Sequence, residues 1–345
     1  MRNVYCCLRD DQTDKKGINI RQNPVLSIVI ITKDTEKLLK KLLISIKEDK
    51  ILAPLLKEVI VIDNASIDKT GDVVKKDFAG FLYIKNEQNE GFAAAVNEGF
   101  FHSTGEYILF LNSDTLLIEG EIAKMLGLMK ENPDIGICGP QLVYPDMSPQ
   151  RSFAYVPSLV SEIFPRLLIE FLFPDKLSSR PSAIRAGSSA LDVPSLIGAA
   201  VLIRKNVLES LGGFDERFFF FLEETDLCLR IRSMKYDAEG KTCRVVFYPP
   251  AKVIHLQGKT VSKNWVKGRI EYNISLYKFI RKHHTYLYYT VFKLTRFFKC
   301  CIFLIVFSTL PFFPVKEKLK RSYTYYAKLF EWHIKGCPDN TGLRS

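Results

Sequence analysis

Three carboxylates, each at the end of an apolar run, are the first residues that could do chemistry. Asp114 sits in LFLNSDTLL (109–117), where the run 107–111 stops at Asn112-Ser113-Asp114 and resumes at Thr115. Asp63 follows VIVI (59–62), and Asp34 follows VLSIVII (25–31). An acid at the carboxyl edge of a strand can hold a divalent cation, and the cation can neutralise a diphosphate. Another acid there can accept the imide N–H of a uracil or thymine ring. An Asx turn would explain any one triplet by itself. The same residue type at three strand ends points instead to a cationic or hydrogen-bond-donating ligand.

A second constellation lies at 213–232, GFDERFFFFLEETDLCLRIR. Four phenylalanines run into Glu223, Glu224, Thr225 and Asp226. Acids in a first helical turn are favoured by the helix dipole and by capping, which is a sufficient structural reason for them. Acids beside an apolar wall also have a raised pKa, which suits general-base work. His255 follows the apolar pair Val253-Ile254 and adds a metal-capable side chain at a strand end.

The elements that must position these residues follow from hydrophobic periodicity. Strands are expected at 25–31, 59–62, 81–84 and 107–111, with helices at 36–50, to about 78, and at 92–101. Strand–helix alternation at this spacing gives a parallel sheet with helices on both faces. Beyond it come a helix at 119–130 and a strand candidate at 134–143. A Ser/Pro/Gly-rich loop at 174–194 carries Arg180 and Arg185, an apolar run covers 196–203, and a short helix spans 205–211. Two short strands are expected at 245–248 and 253–254.

Together, SIVIITKD (27–34), VIVIDNAS (59–66), NEQNEGFAAAVNEG (86–99), YILFLNSDT (107–115), GAAVLIRKNVLESLGGFDERFFFFLEETDLCLR (198–230) and VIHLQGKT (253–260) resemble a family 2 glycosyltransferase of the GT-A fold. The GGFDE-F-E-E-DLC-R stretch is closest to the bacterial rhamnosyltransferase-like branch, which builds O-antigen, capsule or cell-wall glycans. The resemblance implies a fold and domain plan: a polar lead-in at 1–23, a GT-A domain at 24–285 with a mixed, mostly parallel sheet, and membrane-associated helices at 286–345. It also implies roles. Thr32 and Asp34 would line the nucleotide pocket, and Asp63 would accept from the base. Asn89, Gly91 and Asn97 would lie near the ribose and diphosphate. Asn112, Ser113 and Asp114 stand at the D-x-D-type motif, with Asp114 the main ligand of a Mg2+ or Mn2+ ion and His255 assisting it. Glu223 and Glu224 stand at the family's Glu-Asp pair, with Glu224 the base that deprotonates an acceptor hydroxyl during inversion. The chain departs from the pattern in three places. Thr32-Lys33-Asp34 replaces Thr-Tyr-Asn, the base is Glu rather than Asp, and Asn112 replaces the first acid of the metal motif.

Charge is unevenly distributed. Of 49 Lys+Arg and 38 Asp+Glu, residues 261–345 hold 16 and 4, leaving 33 and 34 for residues 1–260. A neutral body with a basic, apolar tail favours an anionic membrane surface over nucleic acid. Residues 287–313 carry Lys293, Arg296 and Lys299 at every third position, and the uncharged run 300–313 is 14 residues, short of the roughly 20 needed to span a bilayer. A peripheral position on the cytoplasmic face of the inner membrane is expected. The N-terminus lacks an apolar signal core, so secretion is not expected. The eight cysteines form no CxxC pair and read as small apolar residues in a reducing cytosol.

The expected activity is transfer of a sugar from a nucleotide-diphosphate donor to a lipid-linked or polysaccharide acceptor. dTDP-rhamnose is the donor suggested by the branch, with UDP- and GDP-sugars as alternatives. A sugar nucleotidyltransferase would need a Gly-rich phosphate loop after the first strand, and ITKDTEKLL has no glycine. A catalytically silent membrane scaffold of a polysaccharide assembly complex is the competing reading, prompted by the altered Thr-Lys-Asp and Asn-Ser-Asp motifs.

Overall fold

The computed structural model describes residues 24–164, 189–256, 265–308 and 317–344, with side chains for all of these except 307–308 and 317–320. The lead-in at 1–23 and most of the 174–194 loop, including Arg180 and Arg185, lie outside the described residues. Contacts divide the described residues into two compact units. The first holds those of 1–155, 179–216 and 223–257, and the second those of 156–178, 217–222 and 258–345.

In the first unit the chain runs β1 (Leu26–Thr32), α1 (Glu36–Glu48), β2 (Leu56–Asp63), α2 (Thr70–Asp77), β3 (Leu82–Lys85), α3 (Phe92–His102), β4 (Tyr107–Asn112), β5 (Thr115–Leu117), α4 (Glu121–Glu131) and β6 (Ile135–Val143). A two-residue strand β7 (Phe153–Ala154) ends this stretch. The second unit begins with the single-turn helix α5 (Leu159–Ile163). The first unit resumes with β8 (Leu191–Asp192), β9 (Ser195–Leu196), β10 (Ala200–Arg204), α6 (Lys205–Ser210), α7 (Glu223–Arg232) and β11 (Arg244–His255).

The main sheet has the order β3-β2-β1-β4-β10-β6-β11-β5, with β8 added on β11. β1 pairs in parallel with β2 and β4, while β10 is antiparallel to both β4 and β6. β11 returns parallel to β6, so along the main path β10 and the terminal β5 are the strands that run backwards. Pleating explains why the central strands read as continuous apolar runs. β1 sends Leu26, Ile28 and Ile30 into one core and Val29 and Ile31 into the other, and β4 divides Leu109 and Leu111 from Ile108 and Phe110 in the same way. Helix α1 fills the first core with Leu39, Leu42, Leu43 and Ile46. Helix α3 closes on the second core at Gly99, where a Cβ would lie 2.2 Å from Val29 Cγ1.

The apolar run that resumes at Thr115 forms a strand of its own, β5, which pairs antiparallel with β11. One expectation is corrected. The two short strands at 245–248 and 253–254 are one strand, β11, whose register shifts between Tyr248 and Lys252. Pro249 and Pro250 lack backbone donors, so the chain bulges past them instead of ending.

The second unit packs α5 with three helices: α8 (Trp265–His283), α9 (Tyr286–Ser308) and α10 (Glu317–Ile334). Helix α8, within the 24–285 domain read from the sequence, groups with these C-terminal helices. Phe279, Phe292, Cys300 and Leu329 are buried in this unit. His333 is buried as well: its Nδ1–H donates to Leu329 O (2.7 Å), so its Nε2 accepts the Tyr277 hydroxyl (2.7 Å). Among the described residues, no helix is long and apolar enough to cross a membrane.

Candidate active site

Strand direction gathers the candidate residues at one edge. The pairings Thr32–Asp63 and Ile31–Asn112 align the carboxyl ends of β1, β2 and β4. β11 runs the same way as β6 and ends at His255. β10 runs backwards, so its amino end, with Gly198 and Ala199 just before it, lies at the same edge. Asn112 N donates to Ala199 O at 3.0 Å. Open α/β sheets bind ligands at this edge.

The metal-capable pair is built by strand register. β5 opposes β11 with Thr115 against His255, and Leu256 N donates to Asp114 O at 2.9 Å. His255 Nε2 then lies 3.5 Å from Asp114 Oδ1, with both side chains less than one-fifth exposed. Gln150 fixes the imidazole. Its Nε2 donates to His255 O (2.6 Å) and Val143 O (3.3 Å), so its Oε1, 3.0 Å from His255 Nδ1, can only accept. Nδ1 therefore carries the proton, and Nε2 presents either a lone pair or a second proton to Asp114. A lone pair facing a carboxylate at that distance is repulsive unless a cation lies between them. The donor set fits Mg2+ or Mn2+: one carboxylate and one imidazole leave the remaining positions to phosphate oxygens and water. Among the described residues no three His, Cys, Asp or Glu side chains cluster as a closed metal cage.

The loops after β1 and β2 interlock. Thr32 is buried, its hydroxyl is 2.6 Å from that of Thr35, and Thr35 Oγ1 donates to Ser113 Oγ at 2.9 Å, linking β1 to the Asn112-Ser113-Asp114 turn. Asp34 has a left-handed φ of 51°, donates from its N–H to Ser66 Oγ and accepts Ile67 N–H through Oδ1, each at 2.8 Å. Lys33 reaches the carbonyls of Asn64 (3.3 Å) and Ala65 (3.0 Å), which gives the unusual Lys of Thr-Lys-Asp a structural task. Asp63 is fully buried and already accepts Ser66 N (2.7 Å) and the Tyr83 hydroxyl (2.6 Å). Burial, then the Asp63 hydrogen bond, push the Tyr83 pKa up and keep its hydroxyl a donor.

Asn64, not singled out in the sequence, ties the next loop to this edge. Its amide nitrogen donates to Asn89 Oδ1 (2.8 Å) and Gly91 O (3.0 Å), and its oxygen accepts Glu90 N–H (2.9 Å). Asn89 also accepts Gly91 N–H at 3.2 Å, and Gly91 takes φ 91° as α3 begins. Asn97 is engaged elsewhere. Its amide holds Phe214 N and O (2.8 and 2.9 Å) and Glu216 Oε1 (2.8 Å), so its observed task is to fix the Gly213–Glu216 turn.

That turn leads into the acids. Arg230 bonds Asp226 (2.8 Å) and the carbonyls of Leu211 (3.1 Å) and Gly213 (2.9 Å), locking α7 to the turn before it. Phe221 and Leu222, directly before Glu223, have φ of 73° and 66°. Bulky residues rarely adopt such angles, and strain of this kind, about 1–3 kcal/mol per residue, collects at functional sites. Glu223 is buried and Glu224 half-buried. A Cβ on Gly198 would meet Glu224 Cβ, Cγ and Cδ at 3.7–3.8 Å, so Glu224 lies over the segment bonded to Asn112. Glu224 Oε2 is buried with no hydrogen-bond partner among the described residues. Burial pushes its pKa up to about 7, against the pull of its own and Thr225's backbone N–H. A carboxyl poised near neutrality is a competent general base.

Residues 27–212, more than half of the chain, match the family model described as "Glycosyl transferase family 2". The N-acetylglucosaminyl-diphospho-decaprenol L-rhamnosyltransferase of Mycobacterium tuberculosis is 24% identical over 238 residues, 66% of this chain and 75% of that protein. The O-antigen biosynthesis protein RfbC of Myxococcus xanthus is 27% identical over 68% of this chain, which spans only 18% of that longer protein. In structure, the chain is similar to a Pyrobaculum calidifontis mannosyltransferase in complex with GDP-Man and Mn2+, with a TM-score of 0.55, 16% identity and coverage of 94% of this chain and 91% of the other. GalNAc-T7 with UDP, GalNAc and Mn2+ gives a TM-score of 0.54 at 16% identity, covering 90% of this chain and 57% of that one. With its sheet order, its strand-edge acids and its matched core, the chain belongs to glycosyl transferase family 2, a glycosyltransferase of the GT-A fold whose likeness runs to the rhamnosyltransferase-like branch.

Proposed function

We propose that the chain is an inverting, divalent-metal-dependent transferase that moves a sugar, rhamnose by analogy with its relatives, from a nucleotide diphosphate to a lipid-linked saccharide during surface-glycan synthesis. The observation that carries this reading is the pairing of Asp114 with a Gln150-oriented His255 at the edge over which Glu224 lies. Asp114 and His255 would hold Mg2+ or Mn2+, which supplies charge neutralisation of the departing diphosphate. Thr32, Asp34, Ser113, Asn89 and Gly91 line the loops that would receive the nucleotide, and Asp63 and Asn64 hold those loops in shape. Asp63 would reach the base only by exchanging one of its present donors. Glu224 accepts the acceptor hydroxyl proton as the new oxygen–C1 bond forms. The C1–O bond to the diphosphate breaks, and the nucleoside diphosphate leaves with the electron pair. Attack from the side opposite the leaving group inverts C1.

The lipid-linked acceptor agrees with the relatives' names and with a peripheral seat on an anionic cytoplasmic membrane surface. Helix α9 turns Leu287, Val291, Leu294, Phe298 and Ile302 outward, all exposed and spaced three or four apart. Lys299, exposed, borders that face, as in interfacial helices. The test is Glu224→Gln, which keeps donor binding and lowers turnover about 10²–10⁴-fold. Unchanged turnover removes Glu224 from the role, and absence of any transfer by the wild type with Mn2+ or Mg2+ favours the silent scaffold.

A further inference from the structure

The second unit contains a cavity of its own, about 340 Å³, within the range of about 300–1,000 Å³ usual for small-molecule sites. Its charged lining is unbalanced: Arg269, Arg296 and Lys299 face a single acid, Glu162. Glu162 is already engaged, by the Arg296 guanidinium and by Lys299, whose Nζ lies 3.9 Å from its carboxylate and donates to its carbonyl at 3.0 Å. Arg296 is held rigidly. Its second terminal nitrogen donates to Asn273 Oδ1 at 2.5 Å, and its buried Nε–H finds no acceptor among the described residues. Asn273 in turn donates to the Tyr325 hydroxyl at 3.0 Å, which leaves the Tyr325 proton to point elsewhere. Arg269 is exposed, with its guanidinium 5.6 Å from the Trp265 ring centre. Trp265, Tyr272 and Tyr325 give the cavity aromatic walls.

We infer that this cavity binds a phosphate group, as a monoester or diphosphate. A tetrahedral anion with several oxygens uses what a lone carboxylate does not: a guanidinium fork, an ammonium and a phenol hydroxyl converging from three helices. The aromatic walls accept an apolar stem attached to that phosphate. Two sources share this chemistry, a lipid headgroup and a free phosphate. None of these residues is among the donor-site residues named above, so anion binding and donor binding succeed or fail separately.

The full chain, in buffer with EDTA so that no metal-dependent nucleotide site is formed, is titrated with sodium pyrophosphate and, separately, with phosphatidylcholine vesicles with and without a polyprenyl phosphate. Tryptophan fluorescence, to which Trp265 in the cavity wall contributes, and calorimetry report binding. Saturable binding is expected. Arg269→Gln and Lys299→Gln, both at exposed positions, should each weaken it about tenfold, the worth of one charge-assisted hydrogen bond. Circular dichroism and Mn2+-dependent nucleoside-diphosphate binding should be unchanged in both variants. Saturation by pyrophosphate identifies a free phosphate as sufficient, and saturation only by polyprenyl-phosphate vesicles identifies a headgroup. Failure of both probes to bind, or wild-type affinity in the double variant, overturns the inference.

Discussion

The surroundings of Glu224 and His255 set what each side chain can do: burial acts on the first and Gln150 orients the second. Burial lifts the Glu224 pKa from 4.5 to about 7, and general-base work needs the ionised form. kcat/KM is therefore expected to rise with pH and level off above about 7, and a pH–rate profile of Glu224→Gln should lack that limb. The linkage sign is that of a raised carboxyl. Its contribution to stability is full below pH 4.5 and is lost as pH rises through 7. Glu224→Gln should thus gain about 1–3 kcal/mol over wild type at pH 8 and little at pH 4, read from thermal midpoints. Gln150 fixes the His255 tautomer, and Gln150→Ala should weaken Mn2+ binding about 10–100-fold while leaving the fold intact, as measured by titration with electron paramagnetic resonance. Asp114, Glu224 and His255 could be singled out in the chain because each follows an apolar run with an abrupt polar stop. Gln150 could not, because its partner is 105 residues away and nothing in its loop signals the contact. Asn64 was hidden for a similar reason: the loop it braces lies 25–27 residues further on.

At the scale of elements, helix α7 carries Glu224, the proposed base, and is aimed by the residues before it. Asp226 is fully buried and paired with Arg230, which also caps the Leu211–Gly213 turn. Arg230→Leu removes a partner of the buried Asp226 charge and should destabilise by up to about 3–5 kcal/mol, seen as a lower urea midpoint. Gly213, at φ 82°, would bring any Cβ within 2.6 Å of Asn97 Oδ1, so Gly213→Ala should also destabilise, by about 1–3 kcal/mol on the same assay. Strands β1, β2 and β4 were legible because both of their faces are buried and the run is unbroken. β11 was read as two pieces because Pro249-Pro250 mimics a strand end, and a bulge is a tertiary solution with no local signature. The partner of Thr115–Leu117 was equally hidden, since its pairing is set by β11, more than 130 residues away.

For the molecule as a whole, the charge asymmetry between residues 1–260 and 261–345 sets a near-neutral stretch that carries the sheet against a basic one that carries the C-terminal helices. Helix α9 keeps Arg296 inside and Leu294, Phe298 and Ile302 outside. Phe298→Glu with Ile302→Glu should abolish sedimentation with phosphatidylglycerol vesicles, and raised salt should weaken wild-type binding. Equal sedimentation of variant and wild type would remove α9 from the membrane contact. In the proposed mechanism Asp114 and His255 hold a cation for a leaving diphosphate at the edge where Glu224 waits. Anomalous diffraction from crystals soaked in Mn2+ and a nucleoside diphosphate tests it most directly. One manganese peak bonded to Asp114 and His255 is expected, with the diphosphate on it and the Glu224 carboxyl facing the same space. A peak bound to neither residue, or a nucleotide seated away from the ends of β1, β2 and β4, would contradict it.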